Sequence, residues 1–458
     1  MPTAGVLYTF GGFLMSEYAD IYINQLSLMW FRNYLNSDIV SLFFSKKDLR
    51  ITPNCRVDLE DDDAEYTKYE YITTVKKAKE RLDARGFGVC NLEKIFNANL
   101  SQAIDYSSFL YHLDIDYEKR EEIACERSKK KVSFKKWKNA MHKIVSYELK
   151  NGNIKEHESE TGSYINISTE CDKIIYYSLK DTDSESFYGL NTEFIDIAYI
   201  YRLILESCDD SERIVLDFTC LQYWDDDCIP KALAATDDVE KIIVLVEGTS
   251  DKDILEFAIE QLYPHLSDLF YFMDFDDAAG AKRDGGTSYV VKNLKTFYFS
   301  KLKSKFIAIF DNDAEGYSSK CTLLNEIKNW PDNFRILLYP DNNAFHRYPT
   351  LAPNGTTMID NISGKACSIE LYLPDELIKS NGEYYPIEWE ARKRIKMSSG
   401  CEEALYQGVI SQKDKIKESF HELRKEIIKC QKSFIPEEWA RMKQLLDTII
   451  FAFVKEFG

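Results

Sequence analysis

The sequence predicts an α/β protein with a mainly parallel sheet near the middle of the chain, a mainly helical region before it and a helical tail after it. Three observations lead there. Short apolar runs at 241–246, 306–310 and 335–339 alternate with stretches of helical periodicity, the pattern of a parallel sheet covered on both faces. Two of these runs, in "IIVLVEGTSD" and "FIAIFDNDA", stop abruptly at carboxylates. The chain is also 458 residues long, too much for one small core, so two or three domains are expected.

The N-terminal part, to about residue 120, suggests helices. In "YITTVKKAKERLDARGFG", Val75, Ala78 and Leu82 fall at helical spacing, with Gly86 and Gly88 as stop signals. The acidic "DLEDDDAE" before it is expected to be an exposed loop. Residues 127–143, "RSKKKVSFKKWKNAMHK", are the most basic stretch. Lys129, Lys130, Lys131, Lys135 and Lys136 surround Trp137, a mixture that can follow a phosphate backbone and stack on bases. The plainer alternative is a solvated lysine face whose aromatics belong to the core.

From 145 to 235 the alternation in "SYINIS" and "KIIYYSL" suggests strands. "EFIDIAYIYRLILES" then suggests a helix and "ERIVLDFTCL" a buried strand. Past 238, the strand 241–246, the helix 252–266, "FYFMDFD", "FIAIF", a helix near 317–329 and "RILLY" make the strand–helix alternation of the sheet. After about 385 the chain is charged and suggests long helices. The expected divisions are therefore 1–145, 146–237, 238–385 and 386–458.

Hydrophobic content of 45% and charged content of 29% fit a soluble globular chain. No apolar run reaches a membrane span, and the N-terminus lacks a basic leader. The 11 cysteines, among them Cys55, Cys90, Cys208, Cys220 and Cys401, show no zinc-type spacing. A cytoplasmic protein with no membrane partner is expected. A net charge of −18 argues against a surface that attracts nucleic acid everywhere, though not against a local basic groove.

The chemistry is expected at the strand ends. Ligands of open parallel sheets bind outside the carboxyl ends of the strands. Glu247 ends one run and Asp311 another, Asp313 follows two residues on, and Asp251 starts the next helix. Crowded carboxylates raise one another's pKa, a cost that a divalent cation removes. Mg²⁺ prefers such hard oxygen ligands, and paired ions can assist phosphodiester cleavage. Asp251 as an ordinary helix cap is the alternative.

"VEGTSD" followed by "FDNDAEG" resembles a Toprim domain, the Rossmann-like fold shared by type IA topoisomerases, bacterial primases and OLD-family nucleases. The resemblance implies a metal-dependent phosphoryl-transfer centre at Glu247, Asp311 and Asp313. Asp251, four residues after the glutamate, is similar to the OLD branch. "GKACSIELYLP" offers Ser368 and Glu370 on a strand and resembles the element completing the second metal position there. The OLD-type site also uses a lysine beyond this element, which points to Lys413 or Lys415, with Lys413 preferred. Mg²⁺ is the implied cofactor, with Mn²⁺ as a substitute.

The layout further resembles HEPN/Toprim-associated bacterial proteins, through "YEYITTVKKAKERLDARGFG", "YPTLAPNG" and "CSIELYLP". HEPN ribonucleases need an arginine shortly before a histidine, and none of the six histidines here has one, so no second active site is expected in the N-terminal region. No ATPase motif is present, unlike fused OLD proteins. The resemblance thus implies a metal-dependent endonuclease, acting on DNA ahead of RNA, in bacterial antiphage defence. A separate ATPase or regulatory partner is expected, and a homo-oligomer is allowed. Two alternatives stand beside it, a Toprim ribonuclease toxin acting on tRNA and a non-catalytic scaffold or sensor subunit.

"RDGGTSYVV" at 283–291 could cradle a phosphate or be a plain loop. Asp274, Asp276 and Asp277 are expected to be loop carboxylates, and His346 and Arg347 structural.

Overall fold

The computed structural model describes residues 18–56, 65–99, 102–129, 131–152, 165–181, 186–274, 286–352, 354–396 and 402–454, with only the backbone of 56, 390–396 and 402–406. The N-terminus up to residue 17, the acidic 57–64, and Lys130, Asp276 and Asp277 lie outside the described residues. The chain forms two compact units, Met1–Val239 and Glu240–Gly458.

The first unit is mixed α/β rather than mainly helical. Its main strands are β1 (Tyr18–Ile23), β2 (Leu26–Arg32), β3 (Leu49–Arg56), β4 (Glu65–Thr74) and β5 (Arg213–Asp217). They form one antiparallel sheet in the order β2-β1-β5-β4-β3. The alternation in β1 is clear: Ala19, Ile21 and Ile23 are buried, while Tyr18, Asp20 and Tyr22 face away. Helical spacing was legible only from α1 (Val75–Ala84), where the Thr74 hydroxyl accepts the Lys77 N–H at 3.4 Å and stops the strand.

The segment 146–237 belongs to this same unit, because its β5 lies in the middle of the sheet. Residues 173–179, expected as a strand, lie in the helix α3 (Glu170–Lys180), after α2 (Phe134–Asn151). Thr169 and Asp172 form a reciprocal cap at the start of α3, and Cys171, Ile174 and Ile175 are buried. α4 (Ile197–Leu205) completes the layer over the inner face.

One row crosses the outer face from strand to strand: Trp30, Asp20, Asp217, Glu70 and Arg50 are successive partners. Like charges directly opposite are unfavourable. Burial pushes the Asp20 carboxyl up to about 6, against the Ser27 hydroxyl, which donates to it at 2.7 Å. The folded state therefore holds a proton that the unfolded chain releases. Its contribution is full below about pH 4 and is lost as the pH rises through about 6. Asp20→Asn should raise the melting temperature at pH 7.5, with the gain shrinking towards pH 4.5. An equal gain at both pH values would contradict this.

The second unit opens with β6 (Ile242–Leu245), α5 (Thr249–Leu262), β7 (Phe270–Met273), α6 (Thr287–Phe299), β8 (Phe306–Phe310), α7 (Ala314–Glu326) and β9 (Phe334–Leu338). The four strands are all parallel, in the order β9-β8-β6-β7. Every residue of β8 is buried, which is why it has no polar alternation. Leu245, Phe306, Ala308 and Phe310 point to one face, where Tyr289, Val290 and Leu294 of α6 and Leu323 of α7 cover them. Parallel crossovers are right-handed, so α5, whose connection runs the other way along the sheet, covers the opposite face.

The chain passes from β6 outward to β7, then back across to β8. The two strands from which it departs in opposite directions, β6 and β8, are neighbours, and a crevice opens at their carboxyl ends.

A second sheet follows, with β10 (Tyr348–Leu351), β11 (Thr357–Asp360), β12 (Ile387–Lys396) and β13 (Glu402–Ile410) in the order β11-β10-β12-β13. The helical tail expected from 386 therefore begins as an antiparallel ladder. Helices resume at α8 (Lys413–Ile428) and α9 (Ala440–Ile450). No helix of the described residues is long and apolar enough to cross a membrane.

A candidate acidic site at the ends of β6 and β8

The two strand ends are tied together. Glu247 follows β6, and its Oε1 accepts the Asp311 N–H, just past β8, at 3.0 Å. Asp251 lies in the first turn of α5, where the helix dipole favours a carboxylate. The cap position there is Gly248, so Asp251 is not the cap. Asp313 is a cap: its Oδ1 accepts the Gly316 N–H at 2.8 Å, and Gln407 of β13 donates to its Oδ2. Asp313 is thus the most committed of the four, with only its remaining lone pairs open to a ligand.

Gly316 is required by close approach. A Cβ there would stand 2.1 Å from the Asp311 carbonyl oxygen and 3.1 Å from Phe310 Cβ. The turn "DNDAEG" can fold back onto its own strand end only without that atom.

Glu370 is fully buried, in a 3₁₀ turn (Ile369–Tyr372) that Ser368 precedes, rather than on a strand. This corrects the strand expected for Ser368 and Glu370. The preceding Ala366–Cys367 pairs with Asn312–Asp313, which brings the turn to the site. The Ser368 hydroxyl donates to Glu370 Oε2 at 2.6 Å. Lys413 Nζ lies 3.3 Å and Lys417 Nζ 3.7 Å from Glu370 Oε1, both from the first turns of α8. Lys415 points away, over the Tyr385 ring at 5.8 Å. A buried carboxylate needs such partners, since stripping one side of a buried pair leaves an uncompensated charge.

The electrostatics are those of a cluster waiting for positive charge. Burial first, then Asp251, Asp313 and Glu315, push Glu247 up to about 8, against the Asp311 N–H. Burial and Glu370 push Asp251 up to about 7, against Lys413 and Lys417. Burial, Glu247 and Asp251 hold Asp311 well above the carboxylate range, and burial also raises Asp313. Burial opposes the Lys413 ammonium, yet Glu370, Asp311 and Asp251 outweigh it and raise its pKa. Asp311 Oδ1 is buried with no hydrogen-bond partner, a costly state for a carboxylate oxygen.

These features fit a divalent cation. Among the described residues, no three His, Cys, Asp or Glu side chains are already gathered closely enough to hold an ion by themselves. Mg²⁺ asks for less, since it binds through one or two carboxylates and keeps several waters beside phosphate oxygens.

Residues 15–231 match the family model described as HEPN/Toprim N-terminal domain 1. No curated protein and no solved structure matches the chain. The match makes residues 15–231 similar to a HEPN/Toprim N-terminal domain. It ends before Glu247, so the acidic site rests on its own geometry.

Thus Glu247, Asp251, Asp311, Asp313, Ser368, Glu370 and Lys413 all belong to the second unit and meet around the ends of β6 and β8. Spacing alone missed Lys417, Gln407 and Thr287. Lys417 was signalled by its four-residue offset from Lys413. Thr287 donates to Glu315 at 3.0 Å, and the Gly286 N–H donates to the Glu247 carbonyl at 2.9 Å, placing the start of α6 at the crevice.

The basic stretch in the first unit is divided. Lys129, Lys131, Lys135 and Lys136 are exposed, but Trp137 is fully buried, its ring against Gly189. Base stacking on Trp137 is therefore ruled out by burial, and Phe134 is core as well. Asp274 is buried, its carbonyl accepting the Tyr289 hydroxyl at 2.5 Å. His346 pairs with Asp341 at 2.7 Å on the surface.

Proposed function

We propose that this chain is a metal-dependent Toprim nuclease that hydrolyses nucleic-acid phosphodiesters, DNA ahead of RNA, as a regulated effector of antiphage defence. The observation that carries it is the crevice where Glu247 and Asp311 meet with raised pKa values and a bare buried oxygen on Asp311. Glu247, Asp251, Asp311, Asp313 and Glu370 would hold Mg²⁺, or Mn²⁺ in its place, with Ser368 orienting Glu370. The bound cation would supply charge neutralisation at the scissile phosphate and a water of lowered pKa. Lys413 and Lys417 bring fixed positive charge to the same place, where charge on a phosphorane is best stabilised. The defence setting is supported by the family resemblance alone, as is a separate regulatory partner.

Plasmid DNA and total tRNA, incubated with Mg²⁺, Mn²⁺ or EDTA, test the proposal and identify the polymer. Cutting should require metal and be lost in Glu247→Gln. Cutting that survives EDTA or this substitution would place the chemistry elsewhere. Lys413→Met should lower cleavage by about 10²-fold, the usual effect of deleting one transition-state contact, and Lys415→Met should leave it within about twofold. Equal losses from both would remove Lys413 from the site.

The pH dependence has a definite sign. Glu247 and Asp251 have folded pKa values above their unfolded ones, so without metal their contribution is full below about pH 4 and is lost as the pH rises through 7 to 8. Metal-free protein should lose melting temperature over that range, Mg²⁺ should restore it at pH 8, and Glu247→Gln should flatten the loss. A metal-free profile identical in wild type and Glu247→Gln would contradict the cluster.

A further inference from the structure

The other end of the parallel sheet carries a second feature. Between the end of α6 and the starts of β8 and β9 lies a groove of about 520 Å³, lined by Tyr298, Phe299, Lys301, Leu302, Lys303 and Phe334 among others. Phe299 is 71% exposed, unusual for a phenylalanine beside a core. Lys301 and Lys303 are exposed and, among the described residues, their side-chain ammonium groups make no hydrogen bond or ion pair. In a chain of net charge −18, an apolar floor rimmed by unpaired lysines is complementary to an anion with flat apolar parts.

Helix α6 joins this groove to the acidic site. Its first residue, Thr287, contacts Glu315 beside Glu247, and its last, Phe299, forms the groove wall. Its 13 residues span about 20 Å at the usual helical rise. Ser288, Lys292, Lys295 and Phe299 follow one another at offsets of four, three and four, which places them on one outward stripe. Lys295 is paired with Glu326 of α7, while Lys292 is exposed.

We propose that a single strand of nucleic acid runs along α6 from the acidic site to this groove, with phosphates on Lys292, Lys301 and Lys303 and a base stacked on Phe299. The inference rests on the nuclease reading and adds the path of the substrate. About 20 Å corresponds to roughly six nucleotides at the spacing of phosphates along a strand. Aromatic stacking tolerates any base, so the track favours length over sequence.

The test separates binding from cutting. Anisotropy in EDTA follows labelled 4-mers and 15-mers of single-stranded DNA and RNA on wild type, Lys301→Glu/Lys303→Glu and Phe299→Ala. Cleavage of both lengths is followed with Mg²⁺. Wild type should bind 15-mers more tightly than 4-mers. The double variant should weaken 15-mer binding at least about tenfold and lower the salt slope by about 1.4, at about 0.7 for each single-strand phosphate contact. Phe299→Ala should weaken it about fivefold or more. All three changes are exposed, so melting temperatures should not move.

Unchanged 15-mer affinity and slope in the double variant would overturn the track, as would wild type that binds neither length. Lysine-dependent binding with no metal-dependent cutting would keep the track and defeat the nuclease reading. Cutting that is equal in all variants and at both lengths would do the reverse. A dimer seen by light scattering and lost in Phe299→Ala, with binding unchanged, would assign the groove to a second copy and overturn the proposal.

Discussion

Asp311→Asn should abolish metal-dependent cleavage, by at least about 10²-fold, while raising the melting temperature of the metal-free protein at pH 8. The two effects have one cause. Asp311 stands among Glu247, Asp251 and Asp313 with a buried oxygen that no protein donor reaches. As a carboxylate it is repelled by its neighbours and desolvated, which a cation relieves and a neutral amide avoids. Removing one ligand of a metal site costs affinity or rate of this order even when only the supporting contacts are touched. A merely structural aspartate would behave differently: its replacement would lower stability and leave any cleavage intact. Asp313→Ala is a useful contrast. Since Asp313 also caps α7 through the Gly316 N–H, its truncation should lower stability along with activity.

Gly316→Ala should be the most damaging single methyl group in the site, costing about 3 kcal/mol and with it any cleavage. The added Cβ would sit 2.1 Å from the Asp311 carbonyl oxygen, a backbone atom that can move only if the strand end moves. Overpacking a rigid site costs about 1–3 kcal/mol, and this position offers no flexible side chain to yield. Gly248→Ala is the control, because its nearest neighbour is Asp251 Oδ2 at 3.7 Å, an ordinary contact. Thermal melts should show a large drop for the first and little change for the second. Similar melts for both would mean that the turn after β8 is looser than its geometry implies.

How much of this was legible in the sequence depended on the kind of signal. The parallel sheet was legible because β6 and β8 are uninterrupted apolar runs that end at carboxylates, and the connecting helices carry 3.6-residue spacing. The antiparallel parts were not. In β4, lysine, glutamate and threonine occupy the outer positions, and the same stretch runs directly into α1, so the helical spacing past Val75 hid the strand before it. In "KIIYYSL" the β-branched and aromatic residues suggested a strand, whereas the cap at Thr169 and Asp172 decided for a helix. β12 is so rich in charge that it resembled helix surface, and β13 opens on two glutamates.

Within the site, residues that arrive on one strand end or one turn were found from sequence: Glu247, Asp251, Asp311 and Asp313. Glu370 and Lys413 came from a resemblance, and tertiary placement is what brings them within 3.3 Å of each other. Gln407 had no local signal at all, since only the pairing of β12 with β13 carries it to Asp313. Trp137 shows the opposite failure. Lysines on either side suggested a stacking surface, but helical geometry turned the ring inward while the lysines stayed in water.

The central claim is that the crevice between β6 and β8 holds a divalent cation, and it is tested most directly without any substrate or activator. Mn²⁺ titrated into the metal-free protein at pH 7.5, followed by electron paramagnetic resonance of the free ion, should show saturable binding. That binding should compete with Mg²⁺ and be lost in Glu247→Gln and Asp311→Asn. Wild-type protein that leaves all of the Mn²⁺ free, or variants that bind it as well as wild type, would contradict the account.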